Sequence, residues 1–193
     1  MGMSAVAVPP GDPGGRKFGR VARGRLVVGA GRDRRLEIRV AHGSILDLPS
    51  DCYVLGLFAG VDPGGGAASA VDAEMGGAIS RLREHRLIEG RLGEIQILPN
   101  GRHPLRAATL AFAGLGSPAL FRPESMAAVG TGLFRCLLAA RIDEAAMVPF
   151  ATRIGQWTKD SFGFFLEGAL VALRENPDQR FRGLTICDVA PDK

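Results

Sequence analysis

Residues 52–66, CYVLGLFAGVDPGGG, join an uninterrupted apolar run to a glycine-rich turn. The run from Cys52 to Phe58 carries no charged side chain, which is typical of a strand buried on both faces of a sheet. After the turn at residues 62–66, apolar residues at helical spacing predict one helix from Ala67 to Leu87, despite Gly76 and Gly77. A buried strand that leads through a glycine turn into a helix indicates an α/β protein.

The rest of the chain continues this alternation of strands and helices. Further strands are predicted at residues 25–28, 36–41, 94–98, 107–113, 145–150 and 182–189. Further helices are predicted from Pro123-Glu124-Ser125 onward and from Thr158, the N-cap candidate, to Asn176-Pro177. We therefore expect a three-layer α/β/α domain whose mixed, mostly parallel sheet carries helices on both faces. We assign this domain to residues 25–193 and expect the Pro/Gly-rich residues 1–24 to be a disordered tail.

Composition excludes several classes of protein. The chain has 193 residues, 46% of them hydrophobic, and no apolar stretch approaches the roughly 18–20 residues of a membrane span. The N-terminus lacks the apolar core of a signal peptide, so we expect a cytoplasmic protein. Cys52, Cys136 and Cys187 each lie in an apolar run, which favours buried, reduced thiols. The histidines are scattered and no HExxH or CxxC motif occurs, so we expect no zinc site.

A basic segment spans the end of the tail and the start of the domain. Nine basic residues fall within a short stretch: Arg16, Lys17, Arg20, Arg23, Arg25, Arg32, Arg34, Arg35 and Arg39. They could form an arm that binds the phosphates of a nucleic acid. The alternative is a solubilising tail that runs into an edge strand, where charge blocks unwanted pairing. The second interpretation is favoured because no aromatic residues interleave to stack on bases.

Two loops are predicted at the carboxyl ends of parallel strands, where ligands bind in sheets of this kind. One spans residues 62–68 and the other residues 150–158, and each opens a helix. Glycines let the backbone approach a phosphate, and a helix start adds free N–H groups, so the pair would suit a diphosphate. Either loop could instead be a tight connection, with Asp62 satisfying turn N–H groups. Trp157 could stack on a base or anchor its loop.

Residues 42–54, HGSILDLPSDCYV, resemble the opening of macro domains, and Met147-Val148-Pro149 resembles the approach to their second phosphate loop. This resemblance implies a macro-like fold with adenine near Ser44 and Ile45. It also implies that the diphosphate lies against two sets of residues, Gly64, Gly65, Gly66 and Ala67 in the first loop and Thr152, Ile154, Gly155, Gln156 and Trp157 in the second.

The chain departs from the macro-domain pattern at two places. Ser44 stands where the family has the Asp that binds adenine, and Leu55-Gly56-Leu57-Phe58 stands in place of an Asn-rich motif. Deacylating macro enzymes use that Asn to hold the distal ribose. The resemblance therefore implies no ADP-ribosyl hydrolysis and no catalytic residue in this chain.

Three further segments resemble the N-terminal domain of leucine aminopeptidases (peptidase family M17), which shares the macro-like fold. They are residues 89–94 (EGRLGE), 111–116 (AFAGLG) and 165–170 (FLEGAL). In that family this domain contributes to assembly and access, and the two-metal peptidase site lies in a C-terminal domain. The resemblance therefore implies no metal ligand, no cofactor and no peptidase activity in this chain.

These observations lead to one functional expectation and an alternative from a different class. We expect a non-catalytic macro-like module that binds an ADP-ribose-like nucleotide in a crevice between the two loops, or that mediates assembly as a homo-oligomer or with a separate protein partner. The alternative is a purely structural or protein-interaction domain with no small-molecule ligand. An enzyme acting on ADP-ribose derivatives is a weaker third class, because of the substitutions at residues 55–58.

Overall fold

The computed structural model describes residues 6–7, 24–31, 34–62, 65–150, 158–177 and 180–188. These residues contain eight strands: β1 (Val6–Ala7), β2 (Gly24–Gly31), β3 (Arg34–His42), β4 (Cys52–Leu57), β5 (Ile95–Pro99), β6 (Thr109–Gly114), β7 (Glu144–Met147) and β8 (Gly183–Asp188). Every strand predicted from the sequence is present with shifted ends, and the sequence does not predict β1. The prediction that residues 1–24 are disordered stays a prediction, since most of them lie outside the described residues.

The strands form one sheet in the order β1-β2-β3-β8-β7-β4-β6-β5. The four pairs from β3 to β6 across this order are parallel, whereas β1-β2, β2-β3 and β5-β6 are antiparallel. At the centre, Cys52 of β4 lies beside Thr109 of β6 and Ala145 of β7. The predicted mixed, mostly parallel sheet is confirmed.

The central strand β4 buries both of its faces. Cys52 and Val54 point into one apolar cluster, and Tyr53, Leu55 and Leu57 point into a second cluster on the other side of the sheet. Each of these five side chains is at most 3% exposed. This double burial explains why β4 is apolar throughout and confirms the three-layer arrangement.

Four α-helices cover the two faces. They are α1 (Gly66–Glu74), α2 (Ala78–Glu84), α3 (Ser125–Ala139) and α4 (Lys159–Glu175), with short 3-10 helices at Ile45–Asp47 and Pro118–Leu120. Buried residues of α3 and α4 belong to the first cluster, and those of α1 and α2 to the second. The predicted N-cap of α4 is confirmed, because the Thr158 hydroxyl accepts a hydrogen bond from the Ser161 N–H at 3.2 Å.

The single helix predicted over residues 67–87 is wrong, because two helices occupy that stretch. Gly76 and Gly77 have φ angles of 60° and 79°, a left-handed conformation that ends α1. The Asp72 carboxylate then starts α2, since it accepts hydrogen bonds from the N–H groups of Ile79 at 2.7 Å and Ser80 at 3.2 Å. Helical periodicity alone did not reveal this break, although the paired glycines were visible.

Helices α3 and α4 cross at unusually close range. A Cβ atom at Gly130 would overlap the carbonyl oxygen of Phe165, and one at Gly168 would overlap that of Ala127. The Thr131 hydroxyl donates to the Ala127 carbonyl at 2.9 Å and lies 3.1 Å from that of Gly168. Two glycines and one hydroxyl therefore set the distance between the helices.

We expect Gly130→Ala and Gly168→Ala each to lower the free energy of unfolding by about 3 kcal/mol, because a methyl group would force the helix backbones apart. Urea denaturation measures this. Gly163→Ala is the matched control, since a Cβ at Gly163 meets nothing within 4 Å. It should raise stability by about 0.5–1 kcal/mol through helix propensity. Equal stability of all three variants would contradict the close-packing account.

Candidate functional site: the carboxyl edge of the parallel strands

The predicted ligand-binding residues follow three strands of the parallel part of the sheet. Ser44 and Ile45 follow β3, residues 58–65 (loop 1) follow β4, and residues 148–158 (loop 2) follow β7. Since β3, β8, β7 and β4 are parallel neighbours, these segments leave the same edge of the sheet. The 3-10 helix after Ser44 also contacts α1.

Some predicted site residues lie outside the described residues. They are Gly64 of loop 1 and Thr152, Ile154, Gly155, Gln156 and Trp157 of loop 2. Of the predicted site residues, the structure therefore describes Ser44 and Ile45 after β3 and Gly65, Gly66 and Ala67 at the junction of loop 1 and α1. The binding role of every predicted residue stays a prediction.

The end of loop 1 presents a helix start without a side-chain cap. Gly65, the N-cap of α1, has φ 143° and ψ 176°, and Gly66 has φ 75°. No side chain accepts a hydrogen bond from the first turn of α1 at this N-cap. A helix start of this kind favours an anionic ligand through its N–H groups and the positive end of the helix dipole.

Ser44 and Ile45 have mainly structural contacts. The Ser44 hydroxyl caps the short helix Ile45–Asp47 by accepting from the Leu46 N–H at 3.2 Å. Ile45 is 2% exposed and packs in the second apolar cluster. A ligand over this edge could therefore meet the backbone at Ile45 but not its side chain.

The base of the crevice is apolar where β4 ends. Leu55 and Leu57 point into the second cluster, so neither side chain faces a ligand. A Cβ on Gly56 would lie 2.6 Å from Cδ1 of Phe150, whose buried ring fills the other side of the strand. The chain's asparagines lie elsewhere: Asn100 donates to the Ala107 carbonyl, and Asn176 to a carbonyl near the end of α4. Thus no asparagine side chain replaces the missing macro-domain motif.

A polar pocket of about 740 Å³ lies on the α2 side of loop 1. Its lining comprises Ala59, Gly60, Asp62, Ser69, Asp72, Ser80, Arg83, Glu84, Arg86, Ile88, Glu89 and Arg91. None of the predicted ligand-binding residues that the structure describes lines it, so this pocket is separate from that part of the predicted site. Two of its acids are already engaged, Asp72 at the start of α2 and Glu89 in an ion pair with Arg91.

The segments that resemble leucine aminopeptidases have structural roles in this fold. The Glu94 carboxylate accepts hydrogen bonds from the N–H groups of Glu89 at 3.2 Å and Arg91 at 2.9 Å. It thereby holds a turn that lies against β6, where a Cβ on Gly114 would overlap the Arg91 carbonyl oxygen. Gly116 of the next motif has φ 75° and accepts from the Ala59 N–H at 2.9 Å. The sequence analysis identified the motif of residues 89–94, but it did not predict that the Glu94 side chain holds the turn.

The thiols of Cys52 and Cys136 are not activated. Burial raises the pKa of the Cys52 thiol to about 12 and also raises the pKa of Cys136. The Cys187 thiol lies 2.9 Å from the carbonyl oxygen of Gly43. The predicted burial is confirmed for Cys52 and Cys187, whereas Cys136 is only half-buried. A raised pKa keeps a thiol protonated at neutral pH, so neither Cys52 nor Cys136 has the character of a nucleophile.

Three other features bear on function. Within the described ranges, no group of three or more His, Cys, Asp and Glu side chains could hold a metal ion. Among the described helices, none is long and apolar enough to cross a membrane. Most of the basic segment lies outside the described side chains, but Arg39 is engaged by Glu37 and Glu144 at 3.2 and 3.4 Å.

The described fold, with its uncapped helix start and its aminopeptidase-like turn, agrees with the comparison with known families. Residues 54–173, more than half of the chain, match the N-terminal domain of the cytosol aminopeptidase family. The chain belongs to that family. No curated protein sequence matches it significantly.

Solved structures show the same fold at low sequence identity. A tomato leucine aminopeptidase mutant matches with a TM-score of 0.64 and 15% identity over 86% of this chain, which spans only 35% of the tomato chain. A macrodomain of Oceanobacillus iheyensis with MES bound matches with a TM-score of 0.65 and 16% identity, covering 86% of this chain and 88% of its own. A Trypanosoma brucei macrodomain in complex with ADP-ribose matches with a TM-score of 0.62 and 18% identity, covering 78% and 63%. The macro-like α/β fold is thereby confirmed.

We expect Glu94→Gln to lower the free energy of unfolding by about 2 kcal/mol, because an amide is a weaker acceptor for the N–H groups of the turn than a carboxylate. Glu124→Gln, at an exposed position whose side chain caps no helix, is the control and should change stability by less than about 0.5 kcal/mol. Thermal or urea unfolding measures both. A Glu94→Gln variant as stable as the control would show that the carboxylate does not hold the turn.

Proposed function

We propose that this protein is a non-catalytic macro-like module that binds a phosphate-bearing nucleotide, ADP-ribose-like, in the crevice between loops 1 and 2. The observation that carries the proposal is the start of α1, where Gly65 and Gly66 leave the first-turn N–H groups without a side-chain cap. Such a helix start favours a phosphate group through its N–H donors and its dipole. The Trypanosoma brucei macrodomain of the same fold was solved with ADP-ribose, which suggests the ligand class to test.

The proposed arrangement uses backbone groups rather than side chains. The diphosphate would lie against residues 64–67, where loop 1 meets α1, and against residues 152–157 of loop 2, with the adenine near Ser44 and Ile45. Backbone N–H groups bind a phosphate without activating a nucleophile. The apolar surroundings of Leu55, Gly56 and Leu57 also provide no amide to hold a ribose, so binding without turnover follows.

A cytoplasmic location belongs to the same proposal. Cys52, Cys136 and Cys187 are all free thiols, which is usual for proteins of a reducing compartment. Arg39 is paired with carboxylates rather than free for phosphates, so we do not propose nucleic-acid binding through that residue.

Calorimetric titration with ADP-ribose, with AMP and NAD as comparators, tests the proposal. We expect saturable binding at micromolar affinity to the wild-type protein. Gly65→Glu should abolish it, because a carboxylate would occupy the anion position and repel the diphosphate. The titration should also show no turnover of ADP-ribose, which chromatography of the recovered ligand would check.

Gly101→Glu is the matched control for that variant. Gly101 also has a positive φ, 71°, and lies in the turn after β5, far along the chain from both loops. A glutamate there is therefore also placed at a positive φ, and Gly101→Glu should retain wild-type affinity. Wild-type affinity of Gly65→Glu for ADP-ribose would show that the site is assigned to the wrong residues. If the wild-type protein gives no heat of binding at millimolar ADP-ribose, the proposal of a nucleotide ligand is contradicted.

A second candidate function is a structural or protein-interaction domain. Four exposed apolar side chains favour it: Val61, Leu87, Leu92 and Leu120. Their segments are linked through Gly116, which donates its N–H to Gly90 and accepts from Ala59, both at 2.9 Å. Exposed apolar residues on neighbouring segments favour a surface that binds other protein chains, including a second copy of the same chain.

Sedimentation velocity tests this second candidate through self-association. We expect a wild-type oligomer that dissociates in Leu92→Lys, because a charge would be buried in the contact. Arg102→Lys, a change that keeps the charge at an exposed position, should leave the oligomer intact. A monomeric wild type would remove self-association and restrict this candidate to a different protein partner.

A further inference from the structure

We infer that Arg83 of α2 is a positioning residue that holds loop 1 in the conformation required at the start of α1. The inference rests on the proposed function, because it assigns Arg83 a role in organising that site. Arg83 would act from behind the loop and would not touch the ligand. Its side chain lines the pocket on the α2 side, which contains none of the predicted ligand-binding residues.

The guanidinium of Arg83 bridges two carbonyl groups of loop 1. Its Nη2 donates to the Phe58 carbonyl at 3.1 Å and to the Val61 carbonyl at 2.7 Å. Phe58 directly follows β4, and Val61 lies shortly before the glycines that open α1. One charged nitrogen thus fixes the path of the chain between the strand and the helix.

The other nitrogens of Arg83 make these two contacts important. Nε and Nη1 are buried and have no hydrogen-bond partner among the described residues. A buried N–H group that loses its protein acceptor cannot form a hydrogen bond to water instead. The two carbonyl acceptors of the Arg83 guanidinium therefore stabilise its buried charge. Movement of Phe58 and Val61 away from α2 would deprive the guanidinium of the two acceptors it has, so these contacts stabilise the described arrangement.

Helix α2 is itself fixed to α1 by a carboxylate. Asp72, in α1, accepts hydrogen bonds from the Ile79 N–H at 2.7 Å and from the Ser80 hydroxyl at 2.5 Å. Arg83 lies on the next turn of α2, and α1 begins where loop 1 ends. These contacts close a ring that runs from loop 1 through α1 and α2 and back to loop 1.

The ring bears directly on the proposed ligand. The N–H groups that would bind the phosphate belong to Gly65, Gly66 and Ala67, at the junction of loop 1 and α1. A loop held in place before binding loses little conformational freedom when the ligand arrives, and this strengthens binding. Loss of Arg83 should therefore loosen loop 1 and weaken the affinity together.

Amide hydrogen exchange at Ala59 measures the position of loop 1 without any ligand. The Ala59 N–H donates to the Gly116 carbonyl at 2.9 Å, so it stays protected only while the start of the loop is in place. In Arg83→Met, which keeps the length of the side chain but removes its donors, we expect exchange about tenfold faster. Arg86→Met is the control, because Arg86 lines the same pocket but makes no hydrogen bond to loop 1 within the described residues.

Arg83→Lys provides a second variant in case the methionine disturbs folding. A lysine ammonium keeps the charge, but its shorter side chain cannot reach both carbonyls at once, so we expect about threefold faster exchange at Ala59. Exchange of core amides in β4 and thermal unfolding, measured in parallel, would separate loosening of loop 1 from general destabilisation.

The outcomes distinguish this inference from the proposed function. Faster exchange in both Arg83 variants, with about tenfold weaker ADP-ribose binding in Arg83→Met, supports the two together. If exchange is faster in both Arg83 variants but the wild type binds no ADP-ribose, the positioning role of Arg83 is supported. The proposal that the protein binds ADP-ribose is then overturned. The positioning role is overturned if Ala59 exchanges at the wild-type rate in either Arg83 variant. It is also overturned if Ala59 exchanges as fast in Arg86→Met as in the Arg83 variants.

Discussion

The close contact between α3 and α4 is the constraint on which much of the remaining structure depends. Because Gly130 and Gly168 carry no side chains, Phe165 of α4 reaches the layer beneath α3 and packs edge-on against Phe134 and Phe150. The Phe150 ring in turn occupies the space beside Gly56 of β4. The crossing of α3 and α4 therefore helps to place the Phe150 ring beside Gly56, near the end of β4.

This packing explains why the surroundings of β4 are apolar where the strand ends. The space beside β4 is occupied by an aromatic ring on one face and by Leu55 and Leu57 on the other, so polar side chains have no place there. At the described end of loop 1, the start of α1 presents backbone groups that no side chain caps. Backbone N–H groups suit recognition of a phosphate, whereas bond cleavage requires a positioned acid, base or metal.

In the segments that resemble aminopeptidases, Glu94, Gly114 and Gly168 have roles in backbone hydrogen bonding and close packing. Glu94 holds the turn before β5, Gly114 allows that turn to lie directly on β6, and Gly168 allows the helices to cross. Each position has a steric or hydrogen-bonding requirement that few other residues meet. The fold is common to the tomato enzyme at 15% identity, while the fold alone leaves the function open.

The sequence by itself determined the α/β class, the strands of the mixed sheet other than β1, the start of α4 at Thr158 and the burial of Cys52, because these follow from local periodicity and capping. Only the tertiary structure decided that residues 67–87 form two helices, that Glu94 and Asp72 anchor backbone turns, and that Arg83 reaches back to loop 1. It also decided that Phe150 fills the space beside Gly56. Such contacts join residues distant in the chain, and a local pattern carries no information about which distant groups will meet in three dimensions.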